Sequence, residues 1–371
     1  MNQFIIENAL RGIKLHIPSG STVVVGMSGG VDSSVTCALL KELGYDVIGL
    51  LMKNWEEEGG ACSIEEDAQD VARVATMLQI PFYTVHFAKE YWEQVFETFL
   101  ADLKAGLTPN PDILCNREVK FGHLLEKALS MNASALATGH YAANTLFEDR
   151  HRLQRAQDSA KDQTYFLYTA TQKTLSHSLF PLANLCKSEV RKIAQTLKLP
   201  VAKKKDSTGI CFIGERNFRQ FLEPHLGLSP GPMVTVDGKK IGDHIGLAYY
   251  TIGQRKGLGI GGEGDAWFVV SKNSETNTLT VAQGIDHPAL FAHSLVANKN
   301  HWISGKTPSS PLSCTAKIRY RQEDSPCEVT MVGPDKLSVH FEKPQRAITP
   351  GQSIVFYDEA TCLGGAVISG E

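Results

Sequence analysis

The stretch that most constrains the fold is Gly26-Met27-Ser28-Gly29-Gly30-Val31-Asp32-Ser33-Ser34. It follows TVVVGM (22–27), which reads as a short buried strand, and opens SSVTCALLKELG, whose apolar spacing is helical and stops at Gly44. A second apolar run, DVIGLLM, comes next. A strand–loop–helix–strand unit of about 30 residues is what a parallel α/β sheet is built from. The glycines let the backbone approach a phosphate chain closely, and the serine hydroxyls and helix N-terminus supply donors and positive potential. No G-x-x-x-x-G-K-[ST] pattern is present, so the lysine that grips β- and γ-phosphates in that loop is missing. Asp32 is suited to hold Mg²⁺ rather than a phosphate.

The same texture continues with a helix from Ile64 to Gln79, a strand from Phe82 to Phe87 and another at ALATGH (135–140). Residues 1–216 therefore read as a doubly wound parallel-sheet domain of the α/β class. Beyond about residue 215, Gly, Pro and β-branched residues become frequent and helical periodicity fades. DHPALF interrupts this β-rich texture near 285, which splits it into a central β-rich unit, 217–285, and a C-terminal β-barrel, 286–371. GLGIGGEG (257–264) resembles a dinucleotide fingerprint but opens no helix, and it reads as a loop.

Eight cysteines are present and none forms a C-x-x-C pair, which disfavours a zinc ribbon, a C-x-x-C iron–sulfur site and a thioredoxin-type motif. No metal-ligand set stands out. Two cysteines have informative surroundings. In Thr108-Pro109-Asn110-Pro111-Asp112-Ile113-Leu114-Cys115-Asn116-Arg117, Asn110 suits a helix cap and Pro111 the first helical position. Asp112 and Cys115 then share a face, where the helix N-terminus and Arg117 favour a thiolate and Asp112 is placed for acid–base work. The same pattern fits a cysteine buried on an amphipathic helix. Cys211 follows Lys203-Lys204-Lys205, which could attract phosphate or form a solvated face, and it is flanked by Ile210, Phe212 and Ile213, which suits a core position equally well.

Taken in order, SGGVDS, TPNPDILCN, TGHYA and DSTGICFIGER resemble the tRNA-specific 2-thiouridylases (MnmA/TrmU type), a branch of the PP-loop ATP pyrophosphatases. The resemblance includes LMKNW (51–55), KDQTYFLY (161–168), GLAYYTIGQRKGLGIGG (246–262) and KIRYR (317–321). It implies a sulfurtransferase that adenylates the C2 oxygen of the wobble uridine of tRNA and then delivers persulfide sulfur, releasing AMP and pyrophosphate. Under it, Gly26, Met27, Ser28, Gly29, Gly30, Val31, Asp32 and Ser33 hold ATP with its Mg²⁺, and Met52 and Gly139 line the adenosine side. Cys211 is the persulfide carrier, Cys115 the nucleophile that frees its sulfur, ending in a Cys115–Cys211 disulfide or passing through sulfide, and Asp112 the acid–base partner. Asn110, Pro111 and Asp112 face the target base. Further tRNA contacts fall on His140, Lys161, Asp162, Gln163, Arg319, Tyr320 and Gln352. The implied partners are the tRNA anticodon stem-loop and a persulfide donor, either a cysteine desulfurase or a relay protein.

Charge and targeting signals agree with such a role without specifying it. Net charge is −3, so an RNA footprint must come from local patches. Lys317-Ile318-Arg319-Tyr320-Arg321 reads as a strand that alternates basic residues, with Tyr320 free to stack. The N-terminal residues carry no long apolar core and no small-residue cleavage site, and no apolar run of membrane-spanning length occurs, so a cytoplasmic protein is expected. About twenty residues precede the first strand, more than is usual in that family, and they suggest no role. Two rivals remain from the sequence: a PP-loop amide-forming synthetase of the argininosuccinate- or NAD-synthetase kind, and a non-catalytic RNA-binding sulfur-relay protein.

Overall fold

The computed structural model describes residues 2–55, 63–206 and 218–370. Strands β1 (Thr22–Met27), β2 (Asp46–Lys53), β3 (Phe82–His86) and β4 (Ala135–Ala137) are all parallel. A hairpin, β5 (Ala142–Phe147) and β6 (Arg150–Arg155), then leaves the sheet before β7 (Ser178–Leu179) completes it in the order β3-β2-β1-β4-β7. The strands read as near-continuous apolar runs because both faces are covered. Helices Val31–Glu42, Ser63–Leu78 and Lys187–Thr196 pack with the core that includes Val23, Val25, Leu39, Val71 and Val190. The helical run 111–130 covers the opposite face through Leu124, Leu125 and Ala128. The parallel α/β reading of this part holds. Helix Asn2–Gly12, to which the sequence assigned no role, buries Ala9 in the first of these cores and is tied by Asn184 Nδ2 to the Gly12 carbonyl at 2.7 Å.

The rest is β-rich. A four-stranded sheet combines β8 (Gly231–Thr235), β9 (Lys240–His244), β10 (Trp267–Asn273) and β11 (Thr278–Gln283). The last six strands are β12 (Phe291–Trp302), β13 (Leu312–Lys317), β14 (Ser325–Gly333), β15 (Lys336–Arg346), β16 (Ser353–Asp358) and β17 (Thr361–Ile368). They run in the order β12-β15-β14-β13-β16-β17, and β12 pairs with β17 to close an antiparallel barrel. Closure removes the open edges that a six-stranded sheet would expose. The hairpin β5–β6 extends this sheet from outside, pairing Gln154 with Thr361. It was not legible in the sequence: its two-residue turn is Glu148-Asp149, both at positive φ, with no glycine to mark it.

One local reading is corrected. Lys317 ends β13, and residues 318–321 form a turn in which Arg321 has φ 63°. The residues do not alternate along a strand because Ile318 is buried and the Arg319 guanidinium is drawn inward to the carbonyls of Ile252 and Ala347 and to Thr349 Oγ1, at 2.7–3.0 Å. Tyr320 is also engaged, its ring 4.5 Å from that of Phe166.

Lys272 of β10 makes a similar inter-domain strut. Its ammonium donates to the Tyr250 carbonyl at 3.0 Å and lies 3.4–3.5 Å from Thr108 Oγ1 and the Leu107 carbonyl. Burial lowers its pKa to about 8. Between that value and the ordinary lysine value of about 10.4, the unfolded chain binds more protons than the folded one, so stability rises with pH across this window. The penalty of holding the charge below pH 8 is about 3 kcal/mol. Thermal unfolding of wild type and Lys272→Met from pH 7 to pH 10 is expected to show the wild type gaining on the variant above pH 8. A constant difference would mean that Lys272 titrates normally.

Candidate active site

The turn after β1 brings Gly29 to φ 70°, and a Cβ there would lie 2.9 Å from Asp67 Cα. Only glycine suits both demands. Gly30 caps helix Val31–Glu42, and Ser33 Oγ accepts from the Ser28 amide at 3.2 Å, folding the loop over the helix N-terminus. Gly139, after β4, packs on that terminus, where an added Cβ would meet Asp32 C and Ser33 N at 2.9 Å.

Together these elements enclose a cavity of about 180 Å³ at the carboxyl ends of β1 and β4. Gly26, Met27, Ser28, Asp32, Ser33, Met52 and Gly139 line it, and His140 and Gln163 complete its wall. Gly29, Gly30 and Val31 form the turn and helix start behind it. Ligands in open α/β sheets bind at this end of the strands. Thr138, in the TGH segment read from the sequence, also lines the cavity, as do Lys120 and Leu124, which the sequence reading did not single out. His140 is buried and shares a 2.7 Å hydrogen bond with Thr138 Oγ1. Burial, aided by Lys120, pushes its pKa well down, so the ring is neutral.

The cation missing from the loop arrives from a distant helix. Lys187 Nζ lies 2.7 Å from both carboxylate oxygens of Asp32 and 2.9 Å from Asp206. Tyr141 donates its hydroxyl to Asp32 at 3.0 Å, and burial and Asp32 together raise its pKa. No local signal marks Lys187, since KSEV reads only as a helix start. The Asp32 carboxylate, which the sequence suggested as a place for Mg²⁺, is thus paired with Lys187 in this arrangement. Among the described residues it is the sole carboxylate lining the cavity, both its oxygens already face an ammonium, and no cluster of three metal-ligating side chains occurs. The donor set does not fit a Mg²⁺ ion resident on the protein. Asp206 in turn is gripped by Lys161 at 2.8 Å, by Lys187 and by Arg191. Burial opposes ionisation there, but Lys161 and Lys187 overcome it and hold Asp206 at about 2. Lys204 pairs with Asp67 and Asp70, so the middle of the lysine run is committed internally.

Beside the cavity, Asn110 caps the helix as expected, its Oδ1 accepting from the Asp112 amide at 3.2 Å, with Pro111 in the first turn. Such a cap contributes about 1 kcal/mol. The helix continues as a π-helix over Cys115–Leu124, a winding frequent at functional sites. Burial raises the Asp112 pKa and Lys120 partly offsets the rise. Cys115 is 1% exposed, packed with Tyr91, Phe96, Val119 and Leu222. The core position that the sequence left open for it is where its thiol sits in this arrangement. Cys211 lies outside the described residues, so the distance between the two sulfurs is not described.

The segment leading into this helix is held by both other parts of the chain. Gln352 Nε2 donates to the Thr108 carbonyl at 2.7 Å, the Thr108 amide donates to the Pro350 carbonyl at 2.9 Å, and Lys272 reaches Thr108 from β10. Asp162 is buried and accepts from Thr164 Oγ1 and the Ala156 amide, while Gln163 Oε1 accepts from the Tyr141 amide. The side chains of Asp162, Gln163, Arg319 and Gln352 thus brace the site in this arrangement.

Three family models cover nearly the whole chain. The tRNA methyl transferase HUP domain matches residues 21–215, the tRNA methyl transferase PRC-barrel domain 219–283, and the aminomethyltransferase β-barrel domain 292–368. The tRNA-specific 2-thiouridylase MnmA of Exiguobacterium sibiricum is 53% identical over 353 residues, covering 95% of this chain and 94% of the relative. The protein of that name from Protochlamydia amoebophila is 55% identical over 350 residues, covering 94% and 93%, and that from Halalkalibacterium halodurans is 54% identical over 353, covering 95% of each. Identity of this level over almost the full length of both partners, on a chain whose nucleotide loop and capped cysteine helix meet at one end of the sheet, shows that the chain belongs to the tRNA-specific 2-thiouridylase family.

Proposed function

We propose that this chain is a tRNA 2-thiouridylase that adenylates the C2 oxygen of the wobble uridine and replaces it with sulfur. The observation that carries the reading is the shared wall of the cavity. The phosphate-side loop 26–33 and the helix bearing Asp112, Cys115 and Lys120 face one space. ATP would seat its phosphates on the loop amides and the helix N-terminus, with its Mg²⁺ carried on the triphosphate. Lys187 is the nearby cation able to follow charge as it moves onto pyrophosphate.

The chemistry balances as follows. The uridine O2 attacks the α-phosphorus, the α–β bridging bond breaks and pyrophosphate leaves. Cys211 carries the sulfur as a persulfide. Cys115 thiolate attacks the Cys211 sulfur, forming a Cys115–Cys211 disulfide, and the terminal sulfur leaves with the electron pair. It adds to C2, and AMP departs with the former O2. A thiol reductant restores both cysteines. Asp112, its pKa raised by burial, exchanges the proton at Cys115 or at the base. His140, Lys161, Asp162, Gln163, Arg319, Tyr320 and Gln352 supply or brace the RNA-facing rim.

Mass spectrometry of tRNA nucleosides, after incubation with ATP, Mg²⁺ and a cysteine desulfurase with cysteine, tests the reading. 2-Thiouridine with stoichiometric AMP is the expected result. AMP formation only on an amine or amino-acid substrate would move the chain to the synthetase class. The pH profile carries a second expectation. Because the Asp112 pKa is raised, wild type should show an ionisation limb above the usual carboxylate range, and Asp112→Asn should lose that limb. An unchanged limb would exclude Asp112 as the proton carrier.

A further inference from the structure

A second cavity, of about 230 Å³, is lined by another face of the same π-helix. Lys120 and Leu124 line the nucleotide cavity, whereas Asn116, Arg117 and Phe121 line this one. The Phe121 ring lies 5.8 Å from that of His140, so one ring pair stands between the two spaces. Asn116 is 4% exposed and donates through Nδ2 to the Phe166 carbonyl at 3.3 Å, but its Oδ1 accepts from no described group. A buried acceptor left unpaired is costly, and a small turn of the Asn116 amide toward the cavity would let a bound group complete its bonding. Leu167 and Ala170 add apolar wall, and the half-exposed Arg117 brings a cation whose surface ion pair with Glu118, at 2.6 Å, a phosphate would replace.

We propose that this cavity receives an unstacked nucleobase of the RNA substrate, one flanking the uridine that is thiolated, with an N–H donated to Asn116 Oδ1. The inference rests on the thiolation reading above. An enzyme acting on one base takes it out of the stack, and its neighbours lose a stacking partner in the process. The cavity suits such a neighbour in three ways. A flat ring fits between Phe121 and the apolar wall, each of the four bases carries an N–H for the orphaned acceptor, and Arg117 suits the adjoining phosphate. Asn116 also directly follows Cys115, so the pocket starts one residue from the cysteine assigned to sulfur release.

The test uses anticodon stem-loop RNAs with an intact loop, or with an abasic nucleotide on the 5′ or the 3′ side of the target. Wild type is compared with Ala170→Phe, which fills the cavity from its wall. One abasic RNA should lose about tenfold in kcat/KM with wild type, the scale of one stacked base. Ala170→Phe should lose a similar factor on intact RNA and nothing further on that abasic RNA, with ATP binding unchanged. Equal rates on all three RNAs with wild type, or losses that multiply in the combination, would overturn the proposal. Should Ala170→Phe fail to fold, the wild-type comparison of the three RNAs decides alone. Absence of 2-thiouridine from intact RNA with wild type would instead sink the thiolation reading.

Discussion

Replacing Cys115 with alanine is expected to abolish 2-thiouridine formation, by at least ~10³-fold, while leaving a folded protein that still releases pyrophosphate in the presence of tRNA. The two halves of this expectation have different origins. Cys115 is a fully buried side chain among Tyr91, Phe96 and Val119, and losing its sulfur costs the fold about 1 kcal/mol as a small cavity. The nucleotide cavity is lined by other residues of the helix, Lys120 and Leu124, so adenylation does not need the thiol. Nucleoside mass spectrometry and pyrophosphate release, measured on the same samples, separate the steps. If Cys115→Ala thiolated at a tenth of the wild-type rate, the residue would be a core cysteine and the sulfur chemistry would have to be reassigned.

Gly139→Ala should have the opposite signature, losing ATP binding and every later step. A Cβ at this position would stand 2.9 Å from two backbone atoms at the start of helix Val31–Glu42, and backbone cannot swing aside as a side-chain tip can. The loop after β4 and the helix N-terminus must separate, which pulls Asp32 and Ser33 from the cavity that Gly139 shares with them. A displacement of even part of an ångström at a phosphate cradle weakens several hydrogen bonds at once, and a loss of about 10²-fold in ATP affinity follows. Isothermal titration with a non-hydrolysable ATP analogue measures it. Affinity within a factor of three of wild type would show that the nucleotide does not use this junction.

What the sequence disclosed follows from where the determining contacts are. The loop Gly26 to Ser34 is specified by residues adjacent in the chain, so strand, turn and helix could be read together, as could the Asn110 cap with Pro111 behind it. Lys187 was invisible because its partner Asp32 is 155 positions away and nothing beside Lys187 depends on the pairing. Arg319 shows the same limit: it was read along a strand, and the carbonyl partners that draw it inward, 28 and 67 positions distant, leave no local mark. The π-helix gave no sign in composition, and with it the separate faces of Asn116 and Lys120 went unread.

The hairpin β5–β6 has a consequence for how the chain matures. It belongs by sequence to the nucleotide domain, yet the strand it lies beside, β17, is made long after it. At ordinary translation rates the roughly 200 residues between them take on the order of 10–40 s to appear. During that time the nucleotide domain can fold while the outer edge of its hairpin waits uncovered. The pairing of β17 with the hairpin is therefore a late docking of the barrel onto the nucleotide domain. The same docking seats Gln352 on the Thr108 carbonyl, so the helix that carries Cys115 receives its brace only once the barrel strands exist.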